Sequence, residues 1–343
     1  MVTWFDESRL DDESALAQSD PTLRRLAETG ARIRREAGEA SEAIDVAVAR
    51  ASEGPRARAV VAAGPDSRLL RAVLEPWCPV PFVAWPSPNL PGWAGSLDLV
   101  VVLAPDGVGA GVASAVAEAV RRGCQVVVAC PPNSQVAEHA PGRYSTILPT
   151  NSRDQLAAAV VMLEYLDRVS LGPSTDAGGV ADALDDVARS CSPRRDLAVN
   201  PAKMLAIALA DTNPLVWGGS VLAARAARRI AESIRRASGR TALAGDAEHL
   251  LPVLEATRQR DVFDDPFSDG GGELRPMLLV LDDGAEEAVV REERGVLQAA
   301  ARARGVRVET LTTDAPTEVA RYASLFLSGS YAAEYLRLAL VEE

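Results

Sequence analysis

Histidine is nearly missing from this chain: only His139 and His249 occur in 343 residues. That leaves a histidine-based metal site poorly supplied, and no cofactor or metal is expected. The four cysteines, Cys78, Cys124, Cys130 and Cys191, lack paired spacing and read as small apolar residues in a reducing compartment. Basic residues are the minority, 36 against 48 acidic ones, for a net charge of −12. Nucleic acid and anionic membrane are therefore excluded as main partners. No apolar run approaches the roughly 20 residues needed to span a bilayer, so no membrane partner is expected. The opening MVTWFDESRLDDES is acidic where a signal peptide would be basic and then apolar, so the expected home is the cytoplasm. Nucleotide fingerprints are missing too: no G-x-G-x-x-G follows the first strand pattern, and no G-x-x-x-x-G-K-[ST] occurs.

What the chain does contain is a repeat. Ala59–Glu75 and Pro214–Ser233 each read as an apolar run, a Gly/Ser turn and a helix. Leu97–Gly111 and Met277–Ala285 each read as a run ending in a small-residue turn. Val112–Ala129 and Val296–Thr310 each read as a helix, an Arg-Gly stop and a valine strand. Three matched units in one order predict two copies of one α/β domain. Valine-rich runs alternating with helices predict strands buried on both faces of parallel sheets. The expected fold is two flavodoxin-like α/β/α domains, each with a parallel sheet of about five strands, related by a pseudo-twofold axis.

The expected organisation is an N-terminal helical segment over 1–54, a first domain over 55–171, a linker and helix over 172–199, and a second domain over 200–343. Pro21–Ala51 reads as helix suited to packing outside the first sheet, and Thr317–Glu343 as one long helix. The linker signal is the Gly/Ser/Pro run GPSTDAGG, and helices are expected at Val180–Ser190 and Asn200–Ala210. Asp261–Glu273, acidic and glycine-rich, reads as a surface excursion or flap.

The order of elements, Asn200-Pro201-Ala202-Lys203 opening a helix, PLVWGGS over 214–220, and the ending GSYAAEYLRLAL over 329–340, resembles the bifunctional phosphoglucose/phosphomannose isomerases. That family carries two sugar isomerase (SIS) domains. The bias toward alanine and arginine is similar to its divergent members in GC-rich bacterial, actinobacterial-type proteomes. The resemblance implies a sugar-phosphate ligand, a homodimer, and aldose-ketose isomerisation by a glutamate base.

The family's motifs are altered here. Its phosphate loop, S-x-S-G-x-T, stands as Ala104-Pro105-Asp106-Gly107-Val108-Gly109, so all three hydroxyls are gone and an aspartate has entered. Its base-bearing N-E-N-x-K stands as Arg236-Ala237-Ser238-Gly239-Arg240, with alanine at the base. General base catalysis contributes about 100- to 10,000-fold, so activity is expected to be weak or lost. His249 matches the ring-opening histidine by resemblance, and Glu232 and Glu248 are candidates for a displaced carboxylate.

Binding candidates come from turn chemistry. Gly64 and Ser67, Gly107 and Gly109, and Gly218, Gly219 and Ser220 offer backbone amides and hydroxyls at helix N-termini, where anions are attracted. Gly64-Pro65-Asp66-Ser67 serves equally as a helix cap. Arg153, after Leu148-Pro149, matches the family arginine that follows the last strand of the first domain. Two rival functions stay open: an active glucose-6-phosphate/mannose-6-phosphate isomerase using a displaced carboxylate, and a non-catalytic regulator or scaffold in sugar-nucleotide metabolism.

Overall fold

The computed structural model describes residues 3–258 and 274–342; the glycine-rich stretch Asp261–Glu273 lies outside the described residues. The chain forms two compact units. The first is Thr29–Asp182, and the second joins Met1–Glu28 to Ala183–Glu343. The opening elements β1 (Thr3–Phe5) and α1 (Glu13–Ala27) thus belong to the second unit.

The first unit contains α2 (Thr29–Glu53), β2 (Val60–Ala63), α3 (Ser67–Leu74), β3 (Phe82–Trp85), β4 (Leu99–Leu103), α4 (Ala110–Arg121), β5 (Gln125–Cys130), α5 (Gln135–Glu138), β6 (Ser145–Pro149) and α6 (Gln155–Arg168). Its strands pair in parallel in the order β3-β2-β4-β5-β6. Counted within the unit this is 2-1-3-4-5, the flavodoxin-like order. Every residue of β2 and β4 is buried, as strands covered on both faces require. Val61, Val100, Val102, Val126 and Val128 pack with α4 and α5. The alternate residues face the other way, where α6 lies against β4 and β5, with α2 packed on α6.

The second unit continues through α7 (Ala177–Ser190), which carries the chain across from the first, α8 (Pro201–Leu209), β7 (Thr212–Gly218), α9 (Val221–Ser238), β8 (Leu243–Ala244), α10 (Ala247–Ala256), β9 (Arg275–Asp282), α11 (Ala288–Ala303), β10 (Arg307–Thr312), α12 (Glu318–Ala339) and β11 (Leu340–Glu342). Its parallel order is β10-β9-β7-β8, or 4-3-1-2, the same topology with four strands. Leu215, Trp217, Leu278 and Val280 pack with α10 and α11 on one face. On the other face α9 lies against β7, backed by α12.

The expected pair of α/β domains with parallel sheets is present. The three repeated sequence units became β2-α3 and β7-α9, β4 and β9, and α4-β5 and α11-β10.

Two helical expectations need correction. The helix expected over Pro21–Ala51 is two helices that divide between the units. α1 closes at Glu28, whose N–H donates to the Arg24 and Leu26 carbonyls. The C-terminal helix stops at Ala339, because Leu340 is extended and β11 pairs antiparallel with β1, Phe5 opposite Leu340.

One ion pair fastens the N-terminal segment within the second unit. The buried Lys203 Nζ donates to Asp11 Oδ1 at 2.6 Å and to the Pro193 and Arg195 carbonyls at 3.0 and 2.9 Å. Hydrogen bonding from Lys203 is the largest influence and holds the Asp11 carboxyl below the usual range; burial opposes it, and the Lys203 charge and the Leu197 N–H add smaller lowering effects. A depressed carboxyl contributes stability above its unfolded pKa and loses it as pH falls through the folded value. Stability of the second unit is therefore expected to decline below about pH 4, and Asp11→Asn to flatten that decline. Urea midpoints of both proteins between pH 2.5 and 6 check this; parallel pH profiles would refute it.

Candidate functional site

In the first unit, four loops meet at the carboxyl ends of the strands, where open α/β sheets place their ligands. The first follows β2. Gly64 holds φ +92° and donates its N–H to the Trp85 carbonyl at 2.9 Å, which turns the chain into α3. Ser67 is buried, and its Oγ has no hydrogen-bond partner. Asp66 makes no side-chain cap; its Oδ1 accepts from Gln155 Nε2 at 2.6 Å. That bond ties the first loop to the one after β6.

The loop after β6 carries the densest unsatisfied polarity in this unit. Thr150 Oγ1 and Ser152 Oγ are buried without partners. Glu36, fully buried on α2, accepts the Asn151 N–H at 2.7 Å through one oxygen, while its other oxygen has no hydrogen-bond partner. Arg153 is exposed and sits at φ +55°, a left-handed conformation uncommon for a side-chain-bearing residue. Asp154 then caps α6 and pairs with Arg32 at 2.9 Å, which fixes the loop from both sides.

The loop after β4 holds the altered phosphate motif. Gly107 has φ +67°, and a Cβ there would stand 2.4 Å from the Ser134 Cβ. Only glycine fits this turn. Gly109, at φ +123°, donates its N–H to Gln135 Oε1 at 3.5 Å. Asp106 is exposed to solvent. The loop after β5 braces this one, and Thr150 N–H donates to the Cys130 carbonyl at 3.1 Å. Burial pushes the Cys130 thiol up to about 11 against a hydrogen bond with Ser134, so it stays protonated and is no nucleophile.

The second unit's equivalent edge is differently built. Gly218 and Gly219 serve close packing: a Cβ on Gly218 would stand 2.3 Å from the Ala223 carbonyl carbon, and one on Gly219 2.3 Å from the Val290 side chain. Ser220 caps α9 through the Ala223 N–H at 3.0 Å, and its hydroxyl also bonds to Asp283 Oδ2. Asp282 pairs with Arg294 at 2.6 Å, and Arg321 donates to the Asp283 carbonyl. An anion arriving here meets a carboxylate on the only hydroxyl of the turn, which disfavours binding.

Carboxylate candidates in this unit are not gathered into a pocket. Glu232 is held between Arg229 at 2.8 Å and Arg236 at 2.6 Å along one face of α9. Glu248 and His249 are both exposed on α10, 3.7 Å apart. Tyr335, on α12, donates to the Cys191 carbonyl at 2.7 Å, and Glu334 pairs with Arg337. His139 is exposed at the end of α5. No cluster of three or more metal-ligating side chains occurs among the described residues.

Turn chemistry in the sequence pointed to Gly64, Ser67, Gly107 and Gly109, and the family resemblance to Arg153; all five lie on this edge of the first unit. Reading the sequence overlooked Thr150, Ser152, Glu36 and Gln155. The T-N-S-R run after Leu148-Pro149 was the available signal.

Residues 198–340 match the family model of the bacterial phospho-glucose isomerase C-terminal SIS domain. Among solved structures, the chain is similar to tagatose-6-phosphate ketose/aldose isomerase from Escherichia coli, at 11% identity and TM-score 0.67, covering 91% of this chain and 93% of that one. It is similar to the C-terminal domain of glucosamine-fructose-6-phosphate aminotransferase from Francisella tularensis, at 12% identity and TM-score 0.62, covering 93% and 95%. It is also similar to a glucose-6-phosphate isomerase like protein from Thermus thermophilus, at 16% identity and TM-score 0.52, covering 83% and 82%. At these identities the likeness is one of fold. No curated protein matches the chain by sequence.

Proposed function

We propose that this chain, a phosphoglucose isomerase-like member of the SIS proteins, binds a sugar phosphate at the carboxyl edge of the first unit's sheet and isomerises it weakly or not at all. The observation that carries the binding half is the set of buried, unpartnered hydroxyls on Ser67, Thr150 and Ser152. A buried polar group left unpaired costs about 1–3 kcal/mol, and a hydroxyl-rich, phosphorylated ligand would supply the missing partners. Arg153 is the side-chain cation of that site, since a guanidinium can fork onto two phosphate oxygens. The catalytic half rests on Ala237 in place of the base and on the dispersal of Glu232, Glu248 and His249.

Titration calorimetry with glucose 6-phosphate tests the binding. The parent protein is expected to bind, and Ser67→Ala and Arg153→Ala each to weaken binding by roughly tenfold or more. A parent protein that gives no heat with glucose 6-phosphate removes the sugar site. Unchanged affinity in both variants moves the site elsewhere.

A further inference from the structure

A cavity of about 420 Å³ opens at the opposite end of the first unit's sheet, beside the amino ends of β5 and β6 and the last turn of α2. That volume lies within the roughly 300–1,000 Å³ of small-molecule sites. None of the candidate sugar-site residues lines it. Its floor is apolar, from Ala47, Val126 and Val127.

Its polar groups are short of partners. Arg143 is exposed and has no carboxylate partner among the described residues; its guanidinium lies 5.2 Å from the centroid of the Tyr144 ring, which is 46% exposed. Arg50 donates to the Ser145 carbonyl at 2.7 Å and to Thr146 Oγ1 at 2.9 Å, and it too has no carboxylate partner among the described residues. In a chain of net charge −12, two such guanidiniums on one cavity are a local reversal of sign. An independent feature points the same way. Tyr165 is 2% exposed and lines this cavity and an adjoining one of about 460 Å³, yet its hydroxyl has no partner among the described residues. The adjoining cavity adds Arg56, likewise without a carboxylate partner among the described residues.

We propose that this cavity is a second ligand site, for a nucleoside phosphate. Bare phosphate would leave most of the volume and the apolar floor unused. A planar base fits the open Arg143–Tyr144 face, where stacking and the guanidinium cooperate. The phosphate takes the free N–H groups of Arg50, and the Tyr165 hydroxyl donates to the ligand. Glu53, the carboxylate on the rim, accepts from the sugar hydroxyls. The site is separate from the proposed sugar-phosphate edge, so either can fail without the other.

Calorimetry on the full chain with uridine 5′-monophosphate, adenosine 5′-monophosphate and inorganic phosphate tests it. At least one nucleotide is expected to bind with Kd below about 1 mM and at least about tenfold more tightly than inorganic phosphate. Arg143→Ala, an exposed change that leaves the core intact, is expected to weaken nucleotide binding by about tenfold or more. Tyr165→Phe removes only the hydroxyl and is expected to weaken it by about threefold or more. Absence of nucleotide binding, inorganic phosphate binding as tightly, or full affinity in both variants would overturn the proposal.

Discussion

Supplied with fructose 6-phosphate or mannose 6-phosphate, the purified protein is expected to turn over at least a thousandfold more slowly than the roughly 1–1,000 per second usual for enzymes. Moving a proton between adjacent carbons needs a base at hydrogen-bond reach of the substrate in a site closed to bulk water. None of the candidates in this chain meets that description. Glu232 lies between Arg229 and Arg236, and its two oxygens are already engaged. Glu248 is 80% exposed and His249 68% exposed, so bulk water competes for both. The position that resemblance assigns to the base is Ala237, near the end of α9. Losing a positioned base removes about 100- to 10,000-fold, and the altered loop at Ala104–Gly109 removes phosphate positioning on top of it. Coupled spectrophotometric assays of both substrates check the rate. Turnover in the ordinary range would show that another carboxylate has taken the role, and Glu232→Gln and Glu248→Gln would then identify it.

The parts of the fold that were legible in the sequence are those fixed by local chemistry. Val60–Ala63, Leu99–Leu103 and Val126–Ala129 are short, valine-rich and apolar without alternation, the pattern of a doubly covered strand. The part that was not legible is nonlocal. Thr3–Phe5 and Leu340–Glu342 pair across nearly the whole chain, and neither three-residue segment carries a strand signal of its own. β8 is two residues long and was hidden for the same reason.

The candidate site divides in the same way. Positive-φ glycines are visible as glycines, so Gly64, Gly107 and Gly109 could be placed on turns before any coordinates existed. Burial is not visible. Whether a serine is a solvated cap or an unpartnered hydroxyl depends on what covers it, so Ser67 was ambiguous and Thr150 and Ser152 passed unseen. At Gly218-Gly219 the sequence suggested backbone open to a ligand, whereas helix α9 and Val290 occupy that space.

Lys203→Ala is expected to destabilise the second unit by about 3–5 kcal/mol, the cost of emptying a large buried site and stripping its hydrogen bonds. Lys203 opens α8 under the Asn200 cap, whose Oδ1 accepts the Ala202 and Lys203 N–H groups at 3.1 Å each. Its stem is fully buried, and its ammonium sits 5.6 Å from the centroid of the Tyr335 ring. From there it reaches Asp11 and the carbonyls of Pro193 and Arg195, so one side chain joins the N-terminal segment, α8 and the chain ahead of it. Removing it leaves two carbonyls without that donor and opens a void against α12. Lys203→Met keeps most of the volume, so it is expected to recover about 2 kcal/mol of the loss while the carbonyls stay unpaired. Because two units need not unfold together, global melting is a poor readout. Native-state hydrogen exchange resolves them: protection in α8, α12 and β11 is expected to fall in Lys203→Ala, with α4 and α6 unchanged. Protection that stays within about 1 kcal/mol of the parent in α8 and β11 would mean that the buried ammonium adds little to the second unit, and that apolar packing of α12 against α9 holds it instead.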